Sequence, residues 1–320
     1  MSVLVFAQTW DGKFKKGTYE AVSYAHETAK KLNFKTIAVT IGNVEDDLKI
    51  LGNYGAEKVI SIKDNINDCN NQNLSDALMQ VAKQENSKII ILLNSNTGKT
   101  IGPRLSIKLN ASYISNVIDI PIEKDNLIVK KKAFSGKAYE FSKSFSEKTI
   151  LSLAPQSFKI LEASGNAEIE IFDYKKSENK LNSKSIDKAT GKISLAEAEI
   201  IISAGRGLKG PENWEMIENL AELLNAGTAC SKPVSDIGWR PHSEHVGQTG
   251  KVVSPNLYIA IGISGAIQHL AGVNSSKTMV VINKDPDAPF FKSADYGIVG
   301  DAFEVIPRLI EEIRNFKQNN

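Results

Sequence analysis

Residues 257–273 read LYIAIGISGAIQHLAGV, and the fold turns on how this stretch is read. The run 257–261 is short, apolar, rich in isoleucine and closed by Gly262, which predicts a strand buried on both faces, as in a parallel sheet. A helix is expected to follow at once, with Ser264 at its N-cap, Gly262 and Gly265 permitting a tight turn, and His269 facing the opening near the first turn. Such a corner holds an anion or the polar edge of a cofactor.

The same rhythm extends on both sides. Strands expected at 200–203, 228–230, 279–282 and 296–299 alternate with helices. The clearest helix, 213–225, aligns Trp214, Ile217, Leu220, Ala221 and Leu224 on one face. The last helix is expected from Asp301, with Glu304 three residues on as a capping box. Five strands in this space predict a doubly wound domain of flavodoxin-like or Rossmann-like type. Upstream, strands expected at 3–6, 36–39, 58–62 and 88–93 enclose a helix with Ala21, Val22, Ala25, Ala29 and Leu32 on one face, a second α/β unit with a parallel sheet. From Ala111 to Phe172 the pattern changes to strands without helices, ASYISNVIDI, NLIVKKKAF, KTILSLA and AEIEIFDY, which predicts an antiparallel addition. The polar run KKSENKLNSKSIDKATGK, from residue 175, buries little and reads as a connector. The expected division is an N-terminal α/β domain at 1–174, a linker at 175–193 and a C-terminal domain at 194–320.

Composition limits the function classes. A chain of 320 residues fits two domains, and 42% hydrophobic with 24% charged residues places it among ordered globular proteins. A net charge of +2 gives no electrostatic hold on nucleic acid. No uncharged apolar run approaches the roughly 20 residues that span a bilayer, and SVLVFA is too short for a signal-peptide core. Cys69 and Cys230 are the only cysteines, so neither a disulfide framework nor a thiolate metal cluster is expected, and a reducing, cytoplasmic setting follows.

Ligands of open α/β sheets bind beyond the carboxyl ends of the strands. In the second half those positions hold Gly205-Arg206-Gly207, Ser231-Lys232, Gly262-Ile263-Ser264-Gly265 leading to Gln268 and His269, Asn283-Lys284-Asp285, and Gly300-Asp301. The loop WRPHSEHVGQTGKVV adds Gln248, Thr249 and Lys251. Five polar or glycine-bearing ends in one sheet describe a rim for a large polar ligand with phosphates. The first half offers only Gln8, Gly42 and Asn94.

Other motifs have plainer readings. GRGLKG, residues 205–210, satisfies the dinucleotide fingerprint, but Pro211 suits a first helical position and puts Gly210 ahead of the helix, and the acidic residue expected at the next strand end is replaced by Ser231 and Lys232. An ordinary glycine-rich turn presenting Arg206 competes with it. TGKT at 97–100 lacks the first glycine of a P-loop. HSEH at 242–245 lacks a set of firm zinc ligands, and DPDAP reads as a rigid turn.

GRGLKGPENW, VGQTGKVVSPNLYIAIGISGAIQHLAGV and VINKDPDAPFFKSADYGIVGD, in this order, closely resemble the alpha subunit of electron-transfer flavoprotein, and GKTIGPRLSIKL followed by YISNVIDI extends the likeness over the whole chain. The resemblance implies an obligate heterodimer with a beta subunit, and one FAD held by the second domain. It implies electrons accepted from acyl-CoA dehydrogenases or similar flavoenzymes and passed to a membrane quinone oxidoreductase. It sets Arg206, Ser231 and Thr249 around the isoalloxazine. Gln248, Gly250 and Ser264 match the segments lining the dinucleotide, among the glycine-turn residues Gly262, Ile263 and Gly265. Gln268 and His269 match the pair after that turn, with the histidine as a donor, charged or neutral, near the pyrimidine carbonyl. Asn283 and Asp301 match the adenosine half. Two positions depart from the family: Lys232 stands where arginine is usual, a point charge in place of a planar fork, and His245 where glutamine is common. A flavin-bifurcating, NADH-linked form remains an alternative, as does a nicotinamide-dependent dehydrogenase using Gly205, Gly207 and Gly210.

Overall fold

The computed structural model describes residues 1–63, 70–122, 127–176, 194, 195 and 198–319. Two compact units, Met1–Lys188 and Ala189–Asn320, each enclose their own apolar core. Cys69, and the expected connector from residue 177 onward, lie outside the described residues.

The first unit runs through β1 (Ser2–Phe6), a short hairpin of β2 (Thr9–Trp10) and β3 (Lys13–Phe14), α1 (Lys16–Leu32), β4 (Lys35–Ile41), β5 (Lys58–Ile62), α2 (Asn71–Gln84), β6 (Ser87–Leu93) and α3 (Asn96–Leu109). Helices cover both faces of the sheet, which is why β1 is buried along its whole length. On one face α1 packs Ala21, Val22, Ala25, Ala29 and Leu32. On the other, α2 and α3 contribute Leu74, Leu78, Val81, Ile101 and Leu105. Both α1 and α3 stop at an asparagine in the left-handed region, Asn33 and Asn110, a conformation that asparagine tolerates better than most residues.

The chain continues through β7 (Ser112–Val117), β8 (Ile128–Ala133), β9 (Ala138–Lys143), β10 (Thr149–Leu153) and β11 (Glu168–Ile171). The sheet order is β11-β5-β4-β1-β6-β10-β7-β8-β9. The antiparallel addition is narrower than the sequence pattern predicts. Only β8 runs against the other strands, pairing antiparallel with β7 and with β9, while β10 inserts parallel between β6 and β7 and β11 lies parallel beside β5. Burial explains the difference. TILSL in β10 is buried throughout and belongs in the sheet interior, whereas β8 and β9 carry lysines and lie at the sheet's edge, β8 half-buried and β9 exposed. β9, missing from the expected strands, has no buried face to give it an apolar alternation.

The second unit contains β12 (Ile200–Ala204), α4 (Glu215–Leu224), β13 (Gly227–Cys230), α5 (Lys232–Asp236), β14 (Leu257–Ile261), α6 (Ile267–Val273), β15 (Thr278–Asn283), β16 (Tyr296–Val299) and α7 (Ala302–Gln318). All five strands are parallel, in the order β13-β12-β14-β15-β16. The chain moves outward from β12 to β13 and returns to the other side for β14, so the topological switch point lies between β12 and β14. Trp214, Ile217, Leu220 and Ile306 fill one face of the sheet, and Tyr258, Ala260, Val273 and Phe290 the other. The Asp301 carboxylate accepts the Phe303 N–H at 3.1 Å and caps α7.

Candidate functional site

Main-chain hydrogen bonds lace the five strand ends of the second sheet into one rim. Ser231 N–H donates to Ala204 (3.1 Å), Gly205 to Ile261 (2.9 Å), Gly207 to Gly262 (3.2 Å), Gly262 to Ile282 (2.9 Å) and Gly300 to Asn283 (3.1 Å). At the switch point the two loops meet backbone to backbone. A Cβ on Gly205 would stand 2.3 Å from the Gly262 carbonyl oxygen, one on Gly207 2.6 Å from Gly262 Cα, and Gly262 itself has φ +60°. Side chains cannot enter here, so the glycines of GRG are explained by loop contact. Gly210 is extended and precedes a 3-10 helix, Pro211–Trp214, so the third glycine lies outside a helix and the nicotinamide fingerprint is not built.

The loop 245–251 presses against α6. Gln248 N–H donates to the Gln268 carbonyl at 2.7 Å and Val253 N–H to Gly272 at 2.9 Å. A Cβ on Gly272 would lie 2.5 Å from Gly247 Cα, and one on Gly250 2.5 Å from the His245 oxygen. Arg206, Lys232, Gln248, Thr249, Ser264 and Gln268 are exposed along the rim, Gly250 and Gly262 are partly covered, and Ser231, Ile263 and Gly265 are buried. The N–H groups of Ser264, Gly265, Ala266, Ile267 and Gln268 meet no acceptor among the described residues. They are five successive donors on one short segment.

The corner differs from expectation in two respects. Ser264 is not the N-cap, since α6 starts at Ile267 after Ala266, with no capping side chain. His269 does not face the opening. Because α6 starts late, its third residue turns inward, leaving His269 only 7% exposed. Its Nε2 lies 2.9 Å from the Tyr258 hydroxyl oxygen, and the Phe290 ring meets it edge-on at 5.8 Å. Burial pushes its pKa down to about 4; the neighbouring His245 pushes the same way and the Val246 backbone opposes both. The imidazole is therefore neutral at ordinary pH, and the charged donor is excluded in the protein alone.

Two further rim residues already have structural work. Asn283 donates through Nδ2 to the Ile263 carbonyl at 3.0 Å and accepts the Asp285 N–H at 3.1 Å, so its amide holds the β14 and β15 loops together. Asp301, besides capping α7, stands 3.8 Å from Lys209 Nζ. Asp287 N–H donates to Asp285 at 3.0 Å, which makes DPDAP the turn expected.

Sequence reasoning missed Arg240 and Tyr258. Arg240 forks onto Glu244 (2.7 and 2.8 Å), reaches Glu218 at 2.9 Å and lies over the Trp214 ring. Glu244 of HSEH is thereby committed, and no cluster of three or more metal-ligating residues occurs among the described residues. Cys230 is buried and its thiol is pushed up to about 12, chiefly by burial, so it is not a reactive thiolate. Tyr258 left a signal: a phenol in an otherwise aliphatic buried strand has to find a hydrogen-bond partner. In the first unit the corresponding strand ends close on themselves, with Gln8 bonded to Ser95 and Thr97 and Asn94 to Asn116 and Ser152.

Residues 3–177 match a family model described as the electron transfer flavoprotein domain, and residues 194–274 match the electron transfer flavoprotein FAD-binding domain. The chain belongs to the electron transfer flavoprotein alpha-subunit family. It is 37% identical to electron transfer flavoprotein subunit alpha of Bacillus subtilis (strain 168), over 99% of this chain and 98% of that one. The subunit alpha of Thermoanaerobacterium thermosaccharolyticum is 36% identical over 98% of each chain. Protein FixB of Clostridium saccharobutylicum is 32% identical over 98% of this chain and 96% of its own. The FAD-binding family model covers the rim from β12 through α6, and Asn283 and Asp301 lie beyond it.

Proposed function

We propose that the second unit holds one FAD along this rim and that the chain acts as an electron carrier, in an obligate heterodimer with an electron transfer flavoprotein beta subunit. The observation that carries the reading is the run of five unpartnered N–H donors, 264–268, at the switch point, over glycines that let a ligand approach the backbone. These donors suit the pyrophosphate. Arg206, Ser231, Lys232, Gln248, Thr249 and Gly250 would line the ring side, with Gly262, Ile263 and Gly265 shaping the wall. Asn283 and Asp301 would bound the adenosine side. Bound FAD supplies the one- and two-electron chemistry that side chains lack. The residues of this chain orient the cofactor, shield it, and place the cations Arg206 and Lys232 and the neutral His269 around it.

The donors proposed are acyl-CoA dehydrogenases or similar flavoenzymes, the acceptor a membrane quinone oxidoreductase, and the compartment the cytoplasm. No helix among the described residues is long and apolar enough to cross a membrane. The test is the visible spectrum of the chain purified with its beta subunit, followed by identification of the cofactor released on denaturation. One FAD per heterodimer supports the carrier reading. Two indicate the bifurcating form, and a colourless protein that takes up no added FAD refutes both.

A further inference from the structure

Resting on the heterodimer reading, we infer that the outer edge of β9 and the solvent-facing side of the β8–β9 pair receive an edge strand of the beta subunit, one that carries apolar and acidic side chains. β9 closes the nine-stranded sheet at one end, with β8 on one side of it and no strand among the described residues on the other. An unpaired edge is a template for a further strand, and proteins that leave one bare blunt it with proline, a bulge or an inward-pointing charge. The pairing of β9 with β8 runs unbroken through all six residues, AYEFSK contains no proline, and five of the six are exposed, Tyr139 and Phe141 among them. Phe134, at the turn between the two strands, is 81% exposed and holds φ +53°, a conformation costly for a bulky side chain. Apolar surface gathered in this way marks an interaction site.

The side chains say what the incoming strand must carry. Directly opposed residues of an antiparallel pair share a face. Val129 turns one face toward the core, with Lys131 and Glu140 paired at 3.0 Å further along it. The other face sets Lys143 opposite Ile128, Lys130 opposite Phe141 and Lys132 opposite Tyr139, with Lys130 Nζ 3.9 Å from the centre of the Tyr139 ring. It holds three lysines and no carboxylate, and none of the three pairs with an acid among the described residues. Burial lowers the pKa of Lys132 with no charge to offset it. Lysines also guard bare edges, but Lys130 and Lys132 sit on β8, one strand in, where they guard nothing. A second copy of this chain would bring three more lysines to the face and no acid. A lipid surface would meet the lysines and rings, but hydrocarbon offers the edge N–H and C=O groups nothing. A strand with alternating apolar and acidic side chains satisfies backbone, rings and cations together.

The test uses the purified heterodimer of full-length chains. Hydrogen exchange read by mass spectrometry should find the amides of 138–143 as slow as those of β8. A carbodiimide, which joins a lysine only to a carboxylate in contact with it, should link Lys130, Lys132 or Lys143 to an acidic residue of beta. Rapid exchange at 138–143 within an intact heterodimer overturns the inference without any variant. So do links that run to a second copy of this chain, or the absence of any link from the three lysines. Lys130→Glu combined with Lys132→Glu, shown to be folded by circular dichroism, should weaken assembly roughly tenfold or more at low salt and flatten its salt dependence. Unchanged assembly overturns the inference as well, and if that variant does not fold, exchange and cross-linking on the unaltered chains still decide. Flavin content is read on the same samples. A heterodimer without flavin refutes the cofactor reading and leaves this surface in place, whereas a chain that forms no complex with beta refutes the partner reading and this inference together.

Discussion

Arg240 joins three pieces of the second unit through one planar group: the loop 240–244 through Glu244, α4 through Glu218, and the Trp214 ring through its face. Glu244 is 5% exposed, so removing Arg240 takes two charge-assisted hydrogen bonds from a buried carboxylate. Arg240→Ala is expected to cost about 3 kcal/mol, read from urea unfolding, and Arg240→Lys to recover only part because an ammonium cannot fork. A loss indistinguishable from that of a surface substitution would contradict this account. His269 makes a second residue-scale prediction, in pH. Its pKa falls from an ordinary 6.5 to about 4 on folding, so between those values the unfolded chain binds a proton that the folded chain refuses. Stability is complete above the unfolded value and is lost as pH falls toward the folded one, by up to about 3 kcal/mol. His245, also lowered by burial, adds in the same direction. Urea midpoints at about pH 7.5 and about pH 5 should fall together with acidification, and the drop should shrink in His269→Asn. Equal drops in the two proteins would show that other groups govern the slope.

At the scale of elements, the contact between the loops after β12 and β14 is the feature most exposed to single changes. A Cβ on Gly207 meets backbone, Gly262 Cα at 2.6 Å, which cannot swing aside as a side chain could. Gly207→Ala is therefore expected to destabilise the second unit by at least about 2 kcal/mol and to weaken flavin retention, because it parts the switch point. Gly42 is the control: its φ is +96° but nothing lies within 4 Å of an added Cβ, so Gly42→Ala should show backbone strain alone, about 1–2 kcal/mol. Equal thermal midpoints for the two variants would refute the contact argument. These elements also show what sequence reveals and what it hides. All five strands of the second sheet were legible, β12 and β14 because burial on both faces writes an apolar run that polar loops then interrupt, and the exposed edge strand β16 from its short YGIV run alone. The place of β10 was not, since a strand's sequence states that it is buried but not beside which neighbour. The start of α6 was misread at Ser264, because a good capping side chain does not oblige the backbone to begin a helix there. The inward turn of His269 followed from that start, and its partnership with Tyr258 is a contact between elements that no local spacing encodes.

For the molecule as a whole, the informative fact is how the apolar surface is divided. The core residues of the first unit come from positions up to Ala167, and those of the second from Leu195 onward. Each unit thus buries its own hydrophobic surface, and surface burial rather than chain continuity drives folding. Ala189–Asn320 falls within the ordinary size of an independent domain and contains a sheet covered on both faces, with Trp214, Tyr258 and Phe290 among its buried aromatics. The fragment Ala189–Asn320, expressed alone, is expected to unfold in one cooperative urea transition and to keep a near-ultraviolet circular dichroism signal from those packed rings. Its rim is built entirely from its own strand ends, so it should also retain some affinity for added FAD. Loss of the near-ultraviolet signal with the helical signal kept, together with dye binding to exposed apolar surface, would mean that the core seen here needs something outside the unit to become specific. A cooperative fragment without flavin affinity would divide the question differently: the fold would be autonomous, and cofactor binding would depend on groups from the first unit or the beta subunit.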